Sequence, residues 1–297
     1  MIVVTTPTGR IGSRLVPRLL AEGRPVRVIA RTPAALPADV RAQADVVEGS
    51  HRDPEVVGRA FAGAEAVFWV WPADRTAAGP EAAYVEPTRP AAEAIRRLGV
   101  PRVVSVSALG RGTPYAGRAG NVTGSLAMDD LLADTGAAFR ALAMPTFMDN
   151  LARQAPLIRE KGVFYDVLSP GHRGPAAAAQ DMAAIAARLL TDPSWTGTEE
   201  VPVLGPEDLS QEDLAAIATD VLGTPVKYEQ IPLAALKEQM RAGGASEAMA
   251  QSMVDMAIAK ENGLDNGIRR TPHHATEAPT TFRTWCTNNL RPATPGS

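Results

Sequence analysis

The chain of 297 residues has a single cysteine, Cys286. That excludes an intrachain disulfide framework and a cysteine zinc site, and it fits a reducing compartment. Basic residues are not in surplus: 30 Lys and Arg stand against 33 Asp and Glu, for a net charge of -3. Nucleic acid is therefore not an expected partner. No apolar run approaches a membrane span. The opening Ile2-Val3-Val4 is too short for a signal-peptide core, so no membrane partner and a cytoplasmic location are expected. Lysine is missing from the whole first half; the first one is Lys161. The histidines are His51, His172, His273 and His274, and no carboxylates stand at ligand spacing around them, so no metal is expected.

What is present is a repeating alternation of elements. Ile2–Thr5 is a β-branched run and reads as a strand. Ser13–Glu22 carries Leu15, Val16, Leu19 and Leu20 at helical spacing and stops at Gly23. Val26–Ala30, Asp45–Glu48, Val67–Val70 and Arg102–Val106 read as further strands. Asp53-Pro54 starts a helix, with Asp53 as cap and Pro54 at the first helical position. Glu86–Leu98 and Ser125–Asp134 read as helices, and Ala138–Ala143 as a strand. Strands spaced by helices predict parallel βαβ units in a doubly wound α/β sheet. After Asn150 short strands (Phe164–Val167, Glu200–Leu204, Val226–Gln230) mix with helices at Asp181–Leu190, Gln211–Leu222 and Ser246–Lys260. Ser210 and Asp213 give the second of these a capping-box start. The reading is a dinucleotide-type domain over 1–150 and a smaller, mainly helical substrate cap over 151–297, interleaved with the first. The tail Pro292–Ser297 is expected to fray.

The turn Thr6-Pro7-Thr8-Gly9-Arg10-Ile11-Gly12 lies between the first strand and the first helix. Gly9 and Gly12 stand at the second and third positions of a GxxGxxG-type loop, with Thr6 where glycine is usual. Such a loop presents N–H groups to a pyrophosphate with no Cβ in the way. Thr6, Thr8, Gly9, Arg10, Ile11 and Gly12 are therefore candidate cofactor residues. The alternative is a purely structural βα turn. The second strand ends in Arg31, not in the carboxylate that would take a ribose 2′-hydroxyl. A guanidinium suits a 2′-phosphate, and Arg10 can add a second charge, so NADP(H) is the expected cofactor. Trp69 and Trp71 share a face of the fourth strand. Trp71 ends that strand at the edge where ligands bind and is a further cofactor candidate. Trp69 is equally a core residue. His51 follows the third strand and can flank an adenine.

Thr8-Gly9-Arg10-Ile11-Gly12, Val26–Arg31, Gly63–Phe68, Val104–Ala108, Pro145–Asn150, Gln180–Ala183 and Leu204–Glu207 occur in the order seen in NmrA-like proteins. The chain resembles that family, a branch of atypical short-chain dehydrogenases/reductases, over nearly its whole length. The resemblance implies the Rossmann-type fold and a nicotinamide cofactor, and leaves the substrate open. The family includes reductases of quinones, ketones and dyes, and redox-sensing regulators. Ordinary short-chain reductases use a Tyr-x-x-x-Lys pair. The corresponding positions here are Asn121 and Ser125, and the absence of lysine before Lys161 excludes that machinery from the presumed cofactor domain.

Ser107 matches the family's serine near the nicotinamide and is a candidate for cofactor or substrate oxygen; it is also a plausible strand-end serine. Tyr115 is a candidate proton donor or an ordinary loop tyrosine. Phe147, Met148, Asn150, Tyr165, Met253 and Met256 are candidates for an apolar, adaptable substrate pocket. Met249, Met253 and Met256 can equally be helix core. The expectation is an NADPH-dependent reductase of a small hydrophobic, polycyclic aromatic ketone or quinone, of the kind used in antibiotic biosynthesis. Hydride transfer would rest on positioning, with a proton from water or the substrate. The alternatives are a non-catalytic NADP(H)-sensing regulator, and an isomerase or lyase.

Overall fold

The apolar runs of the first half become strands buried on both faces, except the outermost, Asp45–Glu48, whose two carboxylates are exposed. The computed structural model describes residues 1–291; the tail expected to fray, Pro292–Ser297, lies outside the described residues. The first half carries β1 (Ile2–Val4), α1 (Gly12–Ala21), β2 (Val26–Ala30), α2 (Ala38–Gln43), β3 (Asp45–Glu48), α3 (Pro54–Phe61), β4 (Ala66–Trp69), α4 (Pro80–Leu98), β5 (Arg102–Ala108), α5 (Asn121–Ala133) and β6 (Ala138–Met144). The second carries β7 (Thr146–Phe147), α6 (Ala155–Lys161), β8 (Val163–Asp166), β9 (Gly174–Ala177), α7 (Ala179–Thr191), β10 (Thr198–Pro202), β11 (Asp208–Leu209), α8 (Gln211–Leu222), β12 (Lys227–Gln230), α9 (Leu233–Ala242), α10 (Glu247–Glu261), α11 (Pro272–Glu277) and α12 (Phe282–Asn289).

Seven strands form one parallel sheet in the order β3-β2-β1-β4-β5-β6-β10. Alternate residues of each strand feed opposite faces. Val4, Phe68, Val104 and Leu142 pack with Leu15, Val16 and Leu19 of α1 and Met182, Ile185 and Leu189 of α7. Val3, Val67, Val103 and Phe139 pack on α3, α4 and α5. This is the doubly wound α/β architecture expected from the sequence. Its strand order reverses between β1 and β4, and the crevice beyond the carboxyl ends of those strands is where such sheets bind ligands.

The expected caps are in place. The Asp53 carboxylate accepts from the N–H groups of Glu55 (2.8 Å) and Val56 (3.4 Å). Ser210 and Asp213 satisfy each other's backbone N–H groups reciprocally. Each such cap stabilises its helix by about 1 kcal/mol.

The second half is less purely helical than expected. The strand anticipated at Glu200–Leu204 is β10, pairing in parallel with β6 as the outer strand of the main sheet, and α7 packs on α1. Its sequence, Thr-Glu-Glu-Val-Pro, is polar because an edge strand leaves one side to solvent. The remainder has its own core, with Phe164, Ala218, Phe282, Trp285 and Leu290 between β8, α8 and α12.

Candidate active site

The first element of the site is the turn after β1. Thr6 sits at φ +48°, in the left-handed region, the one non-glycine residue to do so among the described residues. It therefore takes the backbone conformation for which glycine is usual, at a cost of about 1–2 kcal/mol. The Gly9 N–H donates to the Thr6 carbonyl at 2.9 Å, closing the turn. That carbonyl lies directly over Gly12: a Cβ there would stand 2.2 Å from the oxygen, and one on Gly9 3.1 Å from it. Gly12 is thus required by the loop's own packing, and Gly9 leaves room for a methyl only if that carbonyl shifts by a few tenths of an ångström. Ile11 turns into the core below, and no side chain caps the N-terminus of α1.

A cleft of about 580 Å³ opens beside this turn, at the carboxyl ends of β1, β2 and β4. Thr6, Thr8, Gly9, Arg31, His51 and Trp71 all line it. Thr32, Arg52 and Asp74 line it as well, and sequence reasoning did not single them out. Arg52 is committed to Asp74 at 2.9 Å and lies over the Trp71 ring, 5.5 Å from its centroid. Arg31 is exposed and has no ion-pair partner among the described residues. His51 is wedged edge-on between Trp69 and Trp71, with centroids at 5.5 and 4.8 Å. Burial, with Arg31 and Arg52 nearby, pushes its pKa down to about 4. His51 Nε2 is buried without a partner among the described residues. The two tryptophan rings stack, as their common face requires; Trp69 is fully buried, and the Trp71 indole donates to the Ala83 carbonyl at 2.7 Å.

Arg10 does not reach this cleft. It stands with Arg14 and Arg153 around Asp149, and burial and those cations lower its pKa. Its Nη1 is buried with no partner among the described residues. A cationic nitrogen left unpartnered beside the glycine turn, and a turn that admits no Cβ at Gly12, fit a bound pyrophosphate.

A second cleft, of about 330 Å³, lies along the same sheet edge at the ends of β5 and β6. It brings together Ser107, Phe147, Asn150, Met253 and Met256 from the sequence candidates. Met249, on the same stripe of α10, is buried instead. Three candidates lie outside this cleft. Met148 is buried in the core of the second half, with Phe164 and Trp285. Tyr165 is 36% exposed on β8, because its neighbours Phe164 and Asp166 take the inward positions. Tyr115 lines a separate surface hollow with Arg118 over its ring at 5.9 Å. Asn121, on α5, is occupied by Ser252 Oγ at 2.8 Å and by the Met253 sulfur at 3.0 Å.

Two ionisable groups in this cleft escaped the sequence reading. Lys260 continues the Met253–Met256 stripe by one turn of α10. It pairs with Asp265 and reaches Thr146 Oγ1 at 3.4 Å. Asp166 also lines the cleft, and burial raises its pKa. A third lies just behind. Asp129 of α5 is 2% exposed and takes hydrogen bonds from Ser105 Oγ at 2.7 Å and from Ser107 Oγ. Burial pushes its carboxyl up to about 7, although both serines and Arg111 pull the other way.

Among the described residues no helix is long and apolar enough to cross a membrane, and no group of His, Cys, Asp and Glu is arranged to hold a metal. Residues 7–193 match a family described as NAD(P)H-binding, and residues 136–286 match the NmrA-like family. An NAD(P)H azoreductase of Xenophilus azovorans is 30% identical over 92% of this chain and 92% of its own length. A (4-alkanoyl-5-oxo-2,5-dihydrofuran-3-yl)methyl phosphate reductase of Streptomyces griseus is 28% identical over 96% of both chains. The NADPH complex of the Escherichia coli quinone oxidoreductase QOR2 superposes with a TM-score of 0.80 at 22% identity, covering 98% of this chain and 100% of the other.

Proposed function

The chain belongs to the NmrA-like, NAD(P)H-binding family, and from that premise we propose that it is an NADPH-dependent reductase of a hydrophobic quinone, azo compound or aromatic ketone. The broader assignment, an NAD(P)H-dependent oxidoreductase, follows from the family and from the azoreductase likeness across nearly the full chain. One observation carries the finer reading. A mainly apolar cleft lined in part by Ser107 lies on the same sheet edge as the glycine turn, two strands away.

The roles follow from chemistry. The cofactor would lie along the carboxyl edge, with residues 1–150 as its domain and the rest as the cap over the substrate. Thr6, Thr8 and Gly12 would line the face of the turn that meets its pyrophosphate, with Gly9 closing the turn and Arg10 as counter-charge. Arg31, with Thr32 beside it, would take the 2′-phosphate and favour NADPH over NADH. Trp71 and His51 would flank the adenosine end. When bound, the reduced nicotinamide supplies a hydride. Phe147, Met253 and Met256 would hold a planar apolar acceptor, and Met side chains adapt to several shapes. Asn150, Thr146 and the Lys260 ammonium give that acceptor's oxygens something to bind. Ser107 would hydrogen-bond the oxygen or nitrogen that gains electron density, and this orientation replaces a tyrosine–lysine pair.

The experiment is steady-state NADPH oxidation with naphthoquinones, azo dyes and polycyclic aromatic ketones. Turnover of at least one class, faster with NADPH than with NADH, is expected. Tight NADPH binding with no turnover of any would sink the reductase reading and point to a sensor.

A further inference from the structure

Each hydride delivered to a carbonyl carbon or to a quinone must be matched by one proton on the substrate oxygen. Among the described residues no tyrosine lines the cleft that holds Ser107. The serine hydroxyl carries one proton and two lone pairs, so what it offers the cleft depends on what it does behind. Behind it is Asp129, buried at the interface of α5 and β5. One oxygen, Oδ1, accepts from Ser105, and the other, Oδ2, accepts from Ser107.

These contacts admit two states. With Asp129 ionised, both carboxylate oxygens accept. Ser107 then spends its proton inward and shows the cleft only lone pairs, which repel a substrate oxygen. With Asp129 protonated, the direction of one bond reverses. Ser105 is fully buried, and Asp129 is its only side-chain partner among the described residues, so it stays a donor to Oδ1. The new proton therefore sits on Oδ2 and donates to Ser107 Oγ, which releases the serine's own proton toward the cleft.

On the reductase reading above, we infer that Asp129 is a positioning residue that sets the polarity of Ser107 and relays the reduction's proton through it to the substrate oxygen. The balance is as follows. The substrate gains the hydride and is reduced, and the nicotinamide is oxidised. The Ser107 O–H bond breaks as the substrate O–H bond forms. The Asp129 O–H bond breaks as a new Ser107 O–H bond forms. The Asp129 carboxylate then regains a proton from water between turnovers.

The charged and titratable surroundings agree. Arg111, in the loop after β5, is tied to Asp130 of α5 at 2.9 Å and to Glu200 of β10 at 3.5 Å. Arg111 lowers the Asp129 pKa and Glu200 raises it, while burial is the largest influence and leaves it near neutrality. Tyr84 of α4, half-buried against Gly124 of α5, is pushed up to about 12 and stays neutral. Glu200, half-buried, is the other carboxyl here with a raised pKa, so it is the competitor to exclude.

The test is kcat/KM against pH, from about pH 5 to about pH 9, for wild type, Asp129→Asn, Ser105→Ala and Glu200→Gln. NADPH affinity of each variant serves as the check on folding. Wild type should lose activity above neutrality, up to tenfold for each pH step of one. Asp129→Asn should bind NADPH normally and show no such limb. Ser105→Ala removes a donor from the carboxylate and should move the limb to higher pH. Glu200→Gln should keep it. A limb that survives in Asp129→Asn, or one that vanishes in Glu200→Gln, overturns the inference. If wild type turns over no acceptor, the reductase reading fails separately. The infrared band of a protonated carboxyl, present in wild type at neutral pH and missing from Asp129→Asn, then decides the Ser107 polarity, and absence of that band overturns it.

Discussion

Gly12→Ala is the sharpest perturbation of the cofactor loop. The added methyl would stand 2.2 Å from the Thr6 carbonyl oxygen and 3.0 Å from Pro7 Cα, and both are backbone atoms. Neither can swing aside as a side chain would. The Thr6–Gly9 turn must open, and the geometry that faces the pyrophosphate opens with it. Forcing a methylene into a well-packed site costs about 1–3 kcal/mol. If binding must restore the turn, the NADPH Kd rises by roughly 5- to 150-fold. Gly9→Ala meets the same oxygen at 3.1 Å, which a shift of a few tenths of an ångström relieves. Its effect should stay within about fivefold, below 1 kcal/mol. The assay is titration of bound-NADPH fluorescence, with far-UV circular dichroism to confirm that each variant is folded. A folded Gly12→Ala protein with wild-type NADPH affinity, or a Gly9→Ala defect larger than that of Gly12→Ala, would refute the reasoning.

Three further outcomes follow from the same geometry. Arg31→Ala should weaken NADPH by about 10- to 100-fold, the worth of a charge-assisted contact, and leave NADH nearly unchanged; equal losses for both cofactors contradict a 2′-phosphate role. His51 has its pKa pushed from 6.5 to about 4, so the folded protein binds fewer protons there than the unfolded chain. Its contribution to stability is complete above pH 6.5 and is lost as pH falls toward 4, by up to about 3 kcal/mol. Urea unfolding of wild type and His51→Gln should show the wild type losing more on acidification, and parallel losses would rule this out. Cys286 is fully buried and its thiol is pushed up to about 12, so a neutral-pH thiol reagent should label it only as fast as the protein unfolds; prompt labelling of the native protein would contradict that burial.

The sequence made the glycine turn readable because strand, turn and helix all carry strong local signals: Ile2–Val4, the Gly9/Gly12 spacing and the Leu15–Leu19 stripe. The caps at Asp53 and Ser210 were readable for the same reason. Local pattern could not say that Thr6 adopts the left-handed conformation, since only the carbonyl packed over Gly12 demands it. Nor could it place Thr198–Pro202 in the main sheet, because a polar edge strand lacks the alternation that marks a half-buried one. Side chains that meet across long separations were the least readable. Lys260 reaches Thr146 across 114 residues, and the absence of lysine before residue 161 pointed away from any lysine at the site. A stripe running Met249, Met253, Met256, Lys260 was the one available hint. Asp129 sat among apolar residues of α5, where a buried carboxylate is expensive, and only the two serines of β5 explain it. Tyr165 differs by one residue from Asp166, and in a strand one residue changes the face.

The central claim is that this chain transfers a hydride from NADPH to a hydrophobic acceptor held at Ser107. The most direct measurement mixes the NADPH complex with a naphthoquinone in a single turnover and follows the reduced-nicotinamide absorbance. The account predicts loss of that absorbance in step with quinone reduction, slowed when the transferred hydrogen is deuterium and slowed further in Ser107→Ala. A stable NADPH complex whose absorbance does not decay with any quinone, azo or ketone acceptor would contradict it.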